Sequence, residues 1–213
     1  MFRHFFHYKF SKQITVAIII FSLINLLLII FYLERRIILF GMIMSVFTGI
    51  YFAGVYFTGS RKSLVLQKEI FVALVYSIGI WGGPVALKGF HFSSHQILFL
   101  IVFFLIALSD LLTFSFYEEK NDRLDEQNTF VINFGRKRTI RLVNILAAIV
   151  FIICVYQFEN STELLYRKVV LILTFMMFVI LVLLYFQDFF KSRLLYRYIG
   201  ELVFWLPALI LFV

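Results

Sequence analysis

The chain has 213 residues, 62% of them hydrophobic and 15% charged, with a mean hydropathy of +0.97. A soluble domain is nearer half apolar and a quarter charged, so that class is excluded. The formal net charge of +8 comes from Lys and Arg dispersed between apolar runs rather than gathered on one element, which also argues against nucleic-acid binding.

Apolar runs of about 20 residues recur along the whole length, each long enough to cross a bilayer. The expected architecture is all-α: a polytopic transmembrane helical bundle of about seven spans, forming a single transmembrane domain over residues 1–213. Residues 1–12, MFRHFFHYKFSK, are basic and aromatic and suit a membrane–water interface. The spans fall at roughly 13–33, 37–58, 68–87, 96–117, 139–157, 166–187 and 197–213. The first is of span length and lacks a small-residue cleavage site, so it reads as a membrane helix rather than a cleaved signal. The third contains Gly79 and then Gly82-Gly83-Pro84, which reads as a packing kink in preference to a substrate site. Cys154, the single cysteine, lies in the fifth span and rules out an intrachain disulfide or thiolate cluster.

Fifteen of the 20 Lys and Arg fall on one side of this topology, in the N-terminus and the loops after the second, fourth and sixth spans. Because basic loops stay cytoplasmic, the N-terminus is expected inside and the C-terminus outside, in a bacterial-type inner membrane. The positive charge serves this topology first, with anionic lipid or substrate as lesser contributions.

The stretch with most chemistry runs from Ser109 to Arg141, SDLLTFSFYEEKNDRLDEQNTFVINFGRKRTIR. On a helix at about 100° per residue, Asp110, Glu118, Asp122 and Asp125 fall at about 0°, 80°, 120° and 60°. Four carboxylates in so narrow an arc repel one another unless a cation or solvent sits among them, and hard divalent cations share carboxylate oxygens with substrate phosphates. The competing reading is a solvated loop of mixed charge. Asp110 favours the first, because it lies ~12 Å along the helix from Glu118, where an ionisable group faces a cavity or a partner. Glu201 in the last span is expected to pair with Arg197 at the i,i+4 spacing. Arg61 and Lys62 lie on the carboxylates' side, and read first as topology charges and second as a clamp for a diphosphate. His4 with His7, and His91 with His95, have helical spacing but no accompanying carboxylate or cysteine, and read as interfacial side chains.

Glu118-x3-Asp122-x6-Thr129-x5-Gly135, followed by Arg136-Lys137, resembles the second acidic signature of the UbiA-type intramembrane prenyltransferase superfamily, and the local sequence TFVINFG has the same texture. The resemblance places Glu118 and Asp122 at the last two acidic positions, with Ser115 where a further acid is often found. Arg61-Lys62, after an aromatic-rich span, resembles the basic pair these enzymes present to a diphosphate. The family implies a nine-helix bundle, with which this chain lines up over helices three to nine. The family's first signature, of Asn-Asp-x-x-Asp type, has no counterpart: the acids before Asp110 are Glu34 and Glu69, neither in such a pattern. The expectation is therefore a truncated reading frame, half of a split enzyme completed by a separate chain, or a degenerate relative.

The resemblance implies a transferase in which Mg²⁺, held by Glu118 and Asp122, grips the diphosphate of a polyprenyl donor. Asp110, Ser115 and Asp125 would support those ligands, and Arg61 and Lys62 would share the diphosphate charge. The isoprenoid would pass to an aromatic or other lipophilic acceptor within the membrane. The alternative is a non-catalytic membrane protein, either a transporter fragment or a subunit supporting a partner. A transporter would show broken helices in matching halves, whereas only the third span is visibly broken.

Overall fold

A computed structural model of the chain describes residues 9–58, 65–89, 91–124, 129–191 and 194–212. Every regular element among them is helical: α1 (Ser11–Tyr32), α2 (Arg35–Thr58), α3 (Val65–Leu87), α4 (Ser94–Leu124), the short α5 (Phe130–Phe134), α6 (Arg136–Asn160), α7 (Leu164–Tyr185), the short α8 (Gln187–Lys191), α9 (Leu195–Val203) and a 3₁₀ segment (Leu206–Phe212). Helices α1 to α4, α6 and α7 are each long and apolar enough to cross a membrane, which makes the chain a helical integral membrane protein.

The first six expected spans each meet one of these helices. The seventh departs from expectation. It is an α-helix that stops at Val203 and resumes as 3₁₀ from Leu206, rather than one unbroken span. Pro207 supplies the reason, since it has no N–H and its ring would strike the carbonyl of Val203 in a continued α-helix. The chain tightens ahead of it: the N–H groups of Phe204 and Trp205 donate to the carbonyls of Glu201 and Leu202, three residues back.

Helix α4 is the centre of the bundle, with α3, α6 and α7 packed around it. Its buried residues run from Phe99 to Tyr117 and cover more than one face, Ile106 and Leu112 being fully enclosed. Helix α6 buries Val143, Leu146, Val150 and Cys154, and α7 buries Val170, Leu173, Met177, Ile180 and Leu184. These steps of three and four make a single stripe on each, the pattern of side chains set into the holes of a facing helix. Polar residues inside α4 are satisfied locally. The Ser109 hydroxyl donates to the Leu105 carbonyl and the Thr113 hydroxyl to the Ser109 carbonyl, each at 2.8 Å. At one end His95 is fastened to α6. Its Nδ1 lies 2.5 Å from Gln157 Oε1, the Gln157 amide donates to the His95 carbonyl at 3.1 Å, and the imidazole stacks on Tyr166. His95 thus has a structural role, while His4 and His7 lie outside the described residues.

Helix α2 lies against α3, where Tyr51 stacks on Phe71 with ring centroids 3.6 Å apart. Helix α1 buries no residue, so its all-round apolar surface is left for lipid. Gly82 permits the approach of α2: a Cβ there would run into the ring of Phe40, whereas one on Gly83 would meet nothing within 4 Å. Pro84, two residues beyond Gly82, is accommodated inside α3. Gly82→Ala is expected to lower stability by about 1–2 kcal/mol through overpacking. Gly83→Ala is expected to leave stability unchanged or raise it slightly, since Ala is the better helix former. Thermal unfolding of the two variants in detergent compares them, and equal melting temperatures would mean that the Phe40 ring swings aside without cost.

Candidate functional site

Helix α4 has 31 residues and rises ~46 Å, against a hydrocarbon thickness of ~30 Å, so its charged turns from Glu118 onward stand beyond the apolar stretch. Glu118 and Asp122, one turn apart, line a cavity of about 170 Å³ together with Ser115. Lys68, Glu69 and Thr129 complete its polar wall. Asp110 is not part of this cavity. It lines a larger one of about 550 Å³, deeper in the bundle, opposite Glu201. The two cavities are adjacent and share Val72, Leu111 and Phe114 in their walls. Three expected site residues, Arg61, Lys62 and Asp125, lie outside the described residues.

Glu118 is held from the far side of the bundle. It forms an ion pair with Arg197 of α9 and accepts a hydrogen bond from the Tyr196 hydroxyl at 3.2 Å. Arg197 Nε donates to that same hydroxyl at 3.1 Å. Tyr196 lies flat on Tyr117, with centroids 4.3 Å apart and planes 2° from parallel, and Tyr117 donates to the Leu183 carbonyl of α7. The expected Arg197–Glu201 pair is therefore replaced by Arg197–Glu118, because α9 presents Arg197 to α4 and Glu201 to the deeper cavity. Neighbouring Glu119 ties α4 to α6, bonding Arg136 at 2.6 Å and Arg123 at 2.9 Å. The hydrogen bond from Arg136, followed by that from Arg123, holds the Glu119 carboxyl below the usual carboxylate range. Arg136 also lies over the Phe116 ring at 4.8 Å. Gly135 makes this geometry reachable, since its φ of 82° turns the chain from α5 into α6 in a conformation that side chains resist.

Glu69 is the site residue that sequence reasoning missed. It is 5% exposed, and one carboxylate oxygen accepts from the Phe130 N–H at 3.2 Å while Oε2 has no partner among the described residues. The Thr129 hydroxyl, also buried in this wall, has none either. A buried carboxylate oxygen without a donor is costly, and two such polar atoms in one cavity leave room for water or a polar ligand to meet them. The only signal in the sequence was an acid at the head of an apolar run, beside Lys68.

These residues bear on whether Mg²⁺ fits. Among the described residues no three His, Cys, Asp or Glu side chains gather closely enough to hold a metal by themselves. Mg²⁺, however, often takes only one or two protein carboxylates and fills its remaining positions with water and substrate phosphate. Glu69 and Asp122 both line this cavity, and Glu118 there is engaged by Arg197.

Removing either partner of the Glu118–Arg197 pair leaves a partly buried charge exposed to its neighbours. Arg197→Ala is expected to cost about 1–2 kcal/mol. A double-mutant cycle with Glu118→Gln reads the coupling, and additive effects would mean that the two do not interact. For Glu119 the depressed carboxyl means that its contribution is present above the ordinary Glu value and fades as pH falls through the lower, folded value. Glu119→Gln is expected to cost about 0.5 kcal/mol at pH 7 and less at about pH 3. Melting curves of both proteins at the two values check this, and a difference that persists undiminished in acid would contradict it.

No family model matches the chain, and no curated protein or solved structure matches it either.

Proposed function

We propose that the chain binds the diphosphate of a polyprenyl donor at the cavity lined by Glu118, Asp122 and Glu69, as a UbiA-like membrane prenyltransferase does. The observation that supports this reading is adjacency. A cavity with polar walls at the charged end of α4 lies beside a larger space within the apolar bundle, with Val72, Leu111 and Phe114 in the walls of both. A polar head and a hydrocarbon tail on one molecule would use both. Asp122 and the free oxygen of Glu69 would hold Mg²⁺ accompanying the diphosphate, and Lys68 would share the anionic charge. When bound, the cation would neutralise charge on the leaving oxygen. Val72, Leu111 and Phe114 would line the path of the first isoprene units and keep water from them. The excess of Lys and Arg in the N-terminus, the last turns of α4 and the first turns of α6 supports a cytoplasmic mouth in an inner membrane of bacterial type.

A non-catalytic binding protein is the second reading, favoured by one observation: Glu118 is already tied to Arg197 and Tyr196. Binding and turnover separate the two. The full chain in lipid nanodiscs is expected to bind farnesyl diphosphate only with Mg²⁺ present. Glu69→Gln and Asp122→Asn are each expected to weaken that binding about tenfold or more. Transfer to a lipophilic phenol is expected to be slow, since one acidic signature alone holds the diphosphate. Binding that survives chelation, or is untouched by both substitutions, would reject the diphosphate site.

A further inference from the structure

The larger cavity poses a problem that the diphosphate reading leaves unsolved. Asp110 and Glu201 both line it and lie close enough to repel one another. Asp110 is 5% exposed and makes no hydrogen bond or ion pair with any described residue. No Lys, Arg or His stands in the lining, and the one cation a helical turn from Glu201 on α9, Arg197, is engaged by Glu118. A carboxylate as buried as Asp110, with a second one beside it, is expensive unless positive charge meets it. Gly200 keeps the space open at Asp110. A Cβ there would stand 2.5 Å from the Phe114 ring and 3.2 Å from Asp110 Oδ1.

The remaining walls say which kind of positive charge fits. Tyr76, Phe114, Phe204 and Trp205 surround the two carboxylates, and aromatic rings attract ammonium groups by their negative faces. A metal ion would find too few oxygens among so many apolar atoms. The cavity, of about 550 Å³, has the size of an organic-ligand site. Phe204 is also part of the wall of a further cavity of about 310 Å³, lined by Trp81, Pro84, Leu173 and Pro207 and almost wholly apolar. Glu201 and Trp205 are exposed at the outer edge, which leaves access from the lipid side.

We infer that this cavity binds a lipophilic organic cation, its ammonium group between Asp110 and Glu201 and its hydrocarbon part directed past Phe204 into the apolar cavity. The inference uses neither Glu118, Asp122 nor Glu69, and the cation would compete with an isoprenoid tail for this one cavity. The test uses the full chain in nanodiscs of neutral lipid and radiolabelled hexyltrimethylammonium as the probe, with empty nanodiscs as background. Saturable binding of one cation per chain is expected, displaced by unlabelled probe but not by 1-octanol or hexyl sulfate. Glu201→Gln and Asp110→Asn are each expected to weaken binding about tenfold or more, Asp110→Glu to retain most of it, and Glu163→Gln at the head of α7 to change nothing. Binding no greater than that of empty nanodiscs would overturn the inference and mean that protons alone neutralise the pair. Equal displacement by 1-octanol would overturn it as well, whatever the variants do. Should Asp110→Asn fail to fold, the ligand selectivity of the unmodified chain and of Glu201→Gln still decides.

Discussion

The ion pair between Glu118 and Arg197 joins α4 to the short helix α9, and the position of α9 governs the interior space of the bundle. Arg197 also engages Tyr196, whose ring rests on Tyr117, which in turn bonds the Leu183 carbonyl. Three helices meet at this level through one continuous polar and aromatic contact. From that anchor α9 runs on to place Gly200, Glu201 and then Phe204 against the deeper cavity. A partly buried pair of this kind is costly to desolvate, and the hydrogen bonds that the Tyr196 hydroxyl gives to Glu118 and takes from Arg197 help to offset that cost.

Charge is distributed along α4 in a graded way. Beyond the apolar stretch every described carboxylate on α4 has company: Glu118 with Arg197, Glu119 with Arg123 and Arg136, and Asp122 among its own contacts. Across the small cavity Glu69 keeps one oxygen free, although Lys68 lines the same wall. In the larger cavity Asp110 and Glu201 stand side by side, with no ion pair to another described residue. The cost of an unmet charge rises with depth, so the interior carboxylates are where a ligand's charge would count for most.

Much of this was legible in the sequence, and the misses share one cause. The apolar runs gave six helices close to their expected limits, because a membrane helix satisfies its backbone within itself and its length is set by the bilayer. The seventh failed at Pro207, a local signal that the hydrophobic run concealed. Helical spacing correctly grouped Ser115, Glu118 and Asp122, which share a cavity wall. It also grouped Asp110 with them, although the rise of the helix puts that residue in another cavity. The i,i+4 rule offered Glu201 to Arg197, but a carboxylate from α4 backed by a tyrosine hydroxyl was the stronger partner. Glu69 looked ordinary because what distinguishes it, burial with an orphaned oxygen against α5, involves residues some sixty positions away.

The amino-acid sequence by itself determined that this is a chain of long apolar helices, where most of them begin and end, and that acids lie both at the end of α4 and within its apolar stretch. Those properties follow from composition and from hydrogen bonds closed inside each helix. Only the tertiary structure decided which charges are paired, which carboxylate oxygen is left without a donor, and which two acids share a cavity. Such meetings depend on how each helix is rotated and how deeply it sits beside its neighbours, and packing across the bundle sets both.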